Sequence, residues 1–263
     1  MIRRIINARL PYSHRLHAID ISDTGAIAAL DFMAEDAIAP ESSPPPPGEP
    51  NPDSDVLDLA GDWVSAGGVD IQINGALGLA FPDLREAHRE TLLKICQFLW
   101  QQGVDGFLPT LVTTSVDNMH RAMAVIQQVQ RVMQQNPIPQ SARILGVHLE
   151  GPFLNPAKRG AHPQDYLQEL TLDRMKQVIG NWADLIQVIT LAPELDTTGT
   201  VIPYLRSLNI IVSLGHSQAT APQAHIAFDQ GASMVTHAFN AMPGLHHRQP
   251  GLLGAALVRD DVY

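Results

Sequence analysis

The sequence predicts an α/β fold: an incomplete (β/α)8, TIM-like barrel of about six βα units, preceded by a partial N-terminal β-sandwich. Three observations carry this reading. From Trp63 onward, short apolar runs alternate with stretches of helical period, six times between residues 69 and 237, at about 30 residues each. Before that point, apolar and polar residues alternate with a period of two, as in half-buried strands. Residues able to do chemistry collect just after the apolar runs, at the strand ends where such barrels place their active sites.

Taken in order, Ile2–Ile6, His17–Ile21 and Ala26–Phe32 read as short strands, with a turn at Asp23-Thr24-Gly25. Residues 40–54 contain Pro44-Pro45-Pro46-Pro47-Gly48-Glu49-Pro50, which supports neither a ladder nor a helix and reads as a loop. Val56–Leu59 resumes as a strand. Residues 1–62 are therefore assigned to the sandwich and 63–263 to the barrel. There, Val69–Ile73, Gly106–Val112, Ile144–Leu149, Leu185–Leu191, Ile210–Leu214 and Met234–Thr236 read as strands. Helical periods fill 83–102, with Leu92, Ile95 and Leu99 on one face, and 115–135, stopped by Asn136-Pro137. Shorter helices are expected over 171–180, 197–208 and 220–230. A doubly wound sheet is the alternative. It needs a Gly-rich phosphate-binding turn after its first strand, and Val69-Asp70-Ile71-Gln72-Ile73-Asn74-Gly75 does not offer one. Asp260-Asp261-Val262-Tyr263 reads as the approach to a seventh strand. Closure takes eight, so the chain is expected to be the front part of a longer protein, truncated before strand 7.

Composition narrows the class. A net charge of −10 argues against nucleic acid or an anionic membrane surface as the main partner. A single cysteine, Cys96, excludes an internal disulfide and a cysteine-cluster metal site. The opening apolar run is too short for a signal peptide and no run is long enough to span a membrane, so cytoplasmic residence is expected.

Three strand ends carry matching groups: Glu150 after one, His216 after another and His237 after the next. Glu with two His is a common donor set for a catalytic divalent ion, with a position left open for water. Taken singly, each histidine is as readily a hydrogen-bonded structural residue. Jointly, at equivalent strand ends, they imply a metal. Gln72 and Asn74 stand at the end of the first strand, and amides bind metals poorly, so one ion is expected and not two. His162 could hydrogen-bond a substrate carbonyl or hydroxyl, or be a solvated loop histidine. Asn240 and Ala241 offer an amide and backbone N–H groups. Arg248 could bind an anionic group such as phosphate.

These residues sit in a set of motifs: Gly67-Gly68-Val69-Asp70-Ile71-Gln72-Ile73-Asn74-Gly75, Phe107-Leu108-Pro109-Thr110, His148-Leu149-Glu150-Gly151-Pro152-Phe153-Leu154, Lys158-Arg159-Gly160-Ala161-His162, Leu214-Gly215-His216-Ser217 and Thr236-His237-Ala238-Phe239-Asn240-Ala241-Met242. Together they resemble the N-acetylglucosamine-6-phosphate deacetylase family of the amidohydrolase superfamily, from about Trp63 to Tyr263. The resemblance implies hydrolysis of the acetamide of N-acetylglucosamine 6-phosphate to glucosamine 6-phosphate and acetate, in amino-sugar catabolism, by a water activated by one divalent ion, zinc or iron. It implies that Glu150, His216 and His237 hold the ion and that His162 orients or polarises the carbonyl. The backbone at Ala161, with Asn240 and Ala241, would contact the substrate. Arg248 would bind the phosphate and reach across a homodimer into the partner's site. The family's catalytic aspartate ends the eighth strand, which places it beyond Tyr263. No catalytic residue is therefore assigned within the chain, and little turnover is expected of it. Two other readings stay open: a non-catalytic fragment or pseudoenzyme that binds metal or sugar phosphate, and an amidohydrolase acting on a different amide.

Overall fold

A computed structural model describes residues 2–33 and 55–263. The Pro-rich loop expected at 40–54 lies outside the described residues. The chain divides into two compact units, residues 1–66 and 67–263.

In the first unit, β1 (Arg4–Arg9), β2 (Leu16–Ile21), β3 (Ile27–Phe32) and β4 (Val56–Asp58) form one sheet in the order β3-β2-β1-β4. The β1–β2 and β2–β3 pairs are antiparallel and β1–β4 is parallel. Among the described residues, Ala8, Ala18 and Ile19 are its buried apolar ones.

The second unit opens with β5 (Gly68–Ile73) and a small hairpin of β6 (Gly75–Ala76) and β7 (Leu79–Ala80). Then α1 (Arg89–Gln101), β8 (Val104–Val112), α2 (Val116–Gln135), β9 (Arg143–Ile144) and β10 (Val147–Glu150) follow. The pattern continues through α3 (Leu172–Ile179), β11 (Ile186–Leu191), α4 (Val201–Ser207), β12 (Ile211–Leu214), α5 (Ala221–Asp229), β13 (Met234–Val235) and α6 (Gly251–Leu257). The main path of the sheet is β5-β8-β10-β11-β12-β13, and every pairing along it is parallel. Spatial order thus equals chain order, as in an incomplete (β/α)8 barrel. Tyr263 N–H donates to Ser233 O at 3.0 Å and Val235 N–H to Tyr263 O at 2.7 Å, the pattern of a parallel pair on the outer edge of β13.

The helices follow their apolar faces. In α1, Leu92, Ile95, Cys96 and Leu99 are buried, at helical spacing. Burial pushes the Cys96 thiol up to about 12, so it stays a neutral packing residue. Ser115, Thr171 and Thr220 cap α2, α3 and α5 by accepting a backbone N–H of the first turn, each worth about 1 kcal/mol. Among the described residues, no helix is long and apolar enough to cross a membrane.

Three elements differ from the sequence reading. The run Ile144–Leu149 is not one strand. At Gly146, with φ +153°, it changes partners: Leu145 N–H bonds Phe107 O on β8, whereas Val147 N–H bonds Leu185 O on the other side. The helix expected from 83 starts only at Arg89, because two short 3-10 turns over Phe81–Asp83 and Glu86–His88 precede it, the first shaped by Pro82. The third difference is α6, a short helix of small residues with too little apolar periodicity to read.

Candidate metal centre

Alternation along β10 puts His148 and Glu150 on one face, while Leu149 on the other face joins the apolar core. Glu150 ends the strand and is buried. His216 lies two residues past β12, and His237 two past β13, the neighbouring strand. Both histidines hold left-handed backbone, φ +47° and +34°. For residues with a Cβ this costs about 1–3 kcal/mol and persists where the surroundings impose it.

The side chains converge on one atom. Glu150 Oε1 lies 3.2 Å from His216 Nε2, 3.4 Å from His237 Nε2 and 3.8 Å from His162 Nε2. The His216 and His237 Nε2 atoms are 2.9 Å apart. Burial opposes the Glu150 charge, but hydrogen bonds from neighbouring imidazole N–H groups outweigh it and hold the carboxyl far below the usual carboxylate range. Glu150 in turn raises the pKa of His237, against the effect of burial.

Two of the rings are set in opposite senses by their far nitrogens. His216 Nδ1 lies 2.8 Å from Lys158 O, which can only accept, so Nδ1 carries a proton. In the neutral ring, Nε2 then presents a lone pair to a carboxylate oxygen. That contact is repulsive unless a positive centre stands between them. Thr113 N–H, which can only donate, points at His162 Nδ1 at 3.3 Å, and Thr113 Oγ1 is 2.9 Å from the same nitrogen. With that backbone N–H as the donor, the His162 proton falls on Nε2 and the ring offers the site an N–H; with Thr113 Oγ1 donating instead to Glu150 O, 3.3 Å away, Nδ1 would carry it. Among the described residues, Glu150, His162 and His216 form one buried group whose atoms are close enough to hold a metal ion. By proton placement, His216 and Glu150 fit a cation, and His162 fits an oxygen beside it. The His237 ring is less constrained: its side chain is 29% exposed and its Nδ1 has no hydrogen-bond partner.

Beneath the cluster runs a buried chain of hydrogen bonds. His148 Nδ1 donates to Ile71 O at 2.9 Å, and its Nε2 is 2.7 Å from Thr190 Oγ1. Thr190 Oγ1 contacts Thr236 Oγ1 at 2.7 Å, and Ser213 Oγ contacts the same oxygen at 2.7 Å. Burial, the largest influence, lowers the His148 pKa and keeps the ring neutral. Gly151 follows Glu150 at φ +88°, where an added Cβ would collide with Thr113 Oγ1.

The remaining expected site residues lie on the loops that follow β10 and β13. Ala161 is exposed beside His162. Asn240 is exposed, and its N–H bonds His237 O at 2.9 Å. Ala241, at φ +52°, accepts from Ser217 N–H through its carbonyl at 3.1 Å. Arg248 is exposed in the loop before α6 and helps line a cleft of about 420 Å³ with Gln218, Thr220 and Pro222. The sequence reading missed Thr113, which holds His162 Nδ1, and Glu194, which binds the backbone after His216. The signal for Glu194 was available: Leu191-Ala192-Pro193-Glu194 also puts a carboxylate just past a strand.

Opposite pH trends follow for the metal-free chain. Glu150 has a depressed pKa, so its stabilisation is complete above its ordinary value of 4.5 and is lost as pH falls. His237 has a raised pKa, so its contribution is complete below its ordinary value of 6.5 and is lost as pH rises through the raised one. With a chelator present, the melting temperature should decline on both sides of this interval, and His237→Ala should flatten the alkaline side. An alkaline decline unchanged in that variant would contradict the assignment.

No family model matches the chain. N-acetylglucosamine-6-phosphate deacetylase of Bos taurus is 38% identical over 203 residues, 75% of this chain and 47% of that protein. N-acetylgalactosamine-6-phosphate deacetylase of Escherichia coli O157:H7 is 36% identical over 189 residues, 72% of this chain and 48% of that protein. The solved structure of N-acetylglucosamine-6-phosphate deacetylase from Pasteurella multocida matches with a TM-score of 0.74 and 30% identity, covering 99% of this chain and 63% of that one. The chain spans about half the length of the curated relatives it matches. Over that shared stretch the chain is similar, in sequence and in fold, to N-acetylglucosamine-6-phosphate deacetylases.

Proposed function

We propose that this chain carries the metal- and carbonyl-binding part of a deacetylase for N-acetylglucosamine 6-phosphate, acting in the cytoplasm. The observation that carries the proposal is the convergence of His216, His237 and His162 on Glu150 Oε1, with His216 Nδ1 held by Lys158 O and His162 Nδ1 by Thr113. Glu150, His216 and His237 would hold one divalent ion, zinc or iron. When bound, that ion supplies Lewis-acid polarisation of a carbonyl oxygen and of a water. In the overall reaction, water oxygen bonds to the acetyl carbon, the C–N bond breaks, and a proton passes to the amine. Acetate and glucosamine 6-phosphate leave.

The chain's own groups would orient this reaction. The His162 N–H would hydrogen-bond the acetamide oxygen, stabilising charge that grows there as the carbonyl is attacked. Backbone at Ala161, with Asn240 and Ala241, would line the sugar. Arg248 would bind the 6-phosphate, in a homodimer, from the partner's side. Its position on the exposed loop, in the cleft with Gln218 and Thr220, is compatible with that reach.

Binding tests this reading more directly than turnover does. Calorimetry on the zinc-loaded chain should show saturable binding of N-acetylglucosamine 6-phosphate, weakened in His162→Ala. Glucosamine 6-phosphate, which lacks the acetyl group, should bind more weakly. Equal binding of the two sugars, or binding indifferent to His162, would contradict the reading. The N-acetylgalactosamine epimer belongs in the same titration, since the relative in Escherichia coli O157:H7 is named for it.

A further inference from the structure

We infer that Glu194 is a positioning residue for His216, fixing both its backbone and the direction of its ring lone pair. The inference rests on the reading of His216 as a metal ligand. Glu194 sits on the 3-10 turn Pro193–Leu195 that follows β11. Its carboxylate accepts from three donors on two other loops. Oε2 accepts from Ser217 Oγ at 2.6 Å. Oε1 accepts from Gln218 N–H at 2.5 Å and from Asn155 Nδ2 at 2.9 Å.

The first two bonds hold the residues directly after His216. They secure the chain as it leaves the strained, left-handed His216 backbone, where free rotation would release the ring. The third bond reaches His216 by a second route. Asn155 N–H donates to His216 O at 2.9 Å. The Asn155 side-chain oxygen also caps the turn Pro156–Lys158 by accepting from Ala157 N–H at 2.9 Å. That turn presents Lys158 O, the atom that fixes the proton on His216 Nδ1. One carboxylate therefore ties together the backbone of His216 and the acceptor that decides which ring nitrogen faces Glu150. A three-donor bridge across loops after three successive strands does more than any one loop needs for its own turn. Partners that orient a ligand histidine typically govern metal affinity by about 10–100-fold.

The experiment compares the wild-type chain with Glu194→Gln, Glu194→Ala and Asp196→Ala. Asp196 lies in the same loop and binds backbone N–H groups of Thr198, Gly199 and Val201, with no tie to His216. It controls for general loosening. Two readouts are taken. The first is Co(II) affinity and visible absorption. The second, without metal, is the His216 ring tautomer from long-range 15N–1H correlations. Both Glu194 variants should bind Co(II) at least about tenfold more weakly, with altered absorption. They should also lose the pure Nδ1-protonated pattern of His216. Asp196→Ala should lower the melting temperature yet change neither readout. Wild-type affinity, absorption and tautomer in Glu194→Gln would overturn the inference. If the wild type takes up no Co(II), the ligand reading fails, and the metal-free tautomer still decides the role of Glu194.

Discussion

Replacing Glu150 by glutamine is expected to weaken zinc binding by more than about 100-fold, beyond the range caused by losing a partner of a ligand. The amide keeps the volume of the side chain but loses the charge that imidazole N–H groups hold ionised in a buried site. Its NH2 would also donate to the lone pair of His216 Nε2 and compete with the ion for it. The effect is visible in stability. An ion present at 100 times its Kd stabilises the fold by about 2.7 kcal/mol, so zinc should raise the wild-type melting temperature and leave Glu150→Gln nearly unmoved. Chelator competition gives the affinity. Equal zinc affinity in the two proteins would remove Glu150 from the site.

Leu149→Ala should give the largest loss of stability without touching the site's chemistry. Leu149 is fully buried on β10, between two residues that face the opposite way. Removing its branched end leaves a cavity between sheet and helices, and such changes cost about 2–5 kcal/mol. That is a large part of the roughly 5–15 kcal/mol that typical domains have. Urea unfolding should show the lowered midpoint. The increment added by zinc should equal that of the wild type, because Glu150 and His216 keep their geometry. A lost zinc increment would mean that packing and site are coupled through β10.

Much of this molecule was legible from residue patterns because the physics is local. The spacing of Leu92, Ile95 and Leu99 fixes which face of α1 must be buried, and the structure buries it; β2 does not follow its alternation, since His17, Ala18 and Ile19 are all buried. Glu150, His216 and His237 were readable because each directly follows an apolar run, and the parallel order of the sheet brings those ends together. Partner choice was not legible. Nothing in Ile144–Leu149 says that Leu145 bonds one neighbour and Val147 the other; Gly146 permits the switch, but the neighbours' positions decide it. The proton positions on His162 and His216 were equally hidden. They depend on Thr113 N–H and Lys158 O, which lie 49 and 58 residues away in sequence. The same holds for His148, whose ring bridges Ile71 O and Thr190, the latter 42 residues distant.

The central claim is a single divalent centre built from one carboxylate and the Nε2 lone pairs of His216 and His237, with His162 beside it as a donor. X-ray absorption at the zinc edge of the loaded chain measures this most directly. One zinc per chain is expected, with scattering from two imidazoles at about 2.0–2.1 Å and oxygen filling the rest of the shell. The histidine count should fall in His237→Ala and stay at two in His162→Ala. A second metal about 3.5–4 Å away, or a histidine count that falls in His162→Ala but not in His237→Ala, would contradict it.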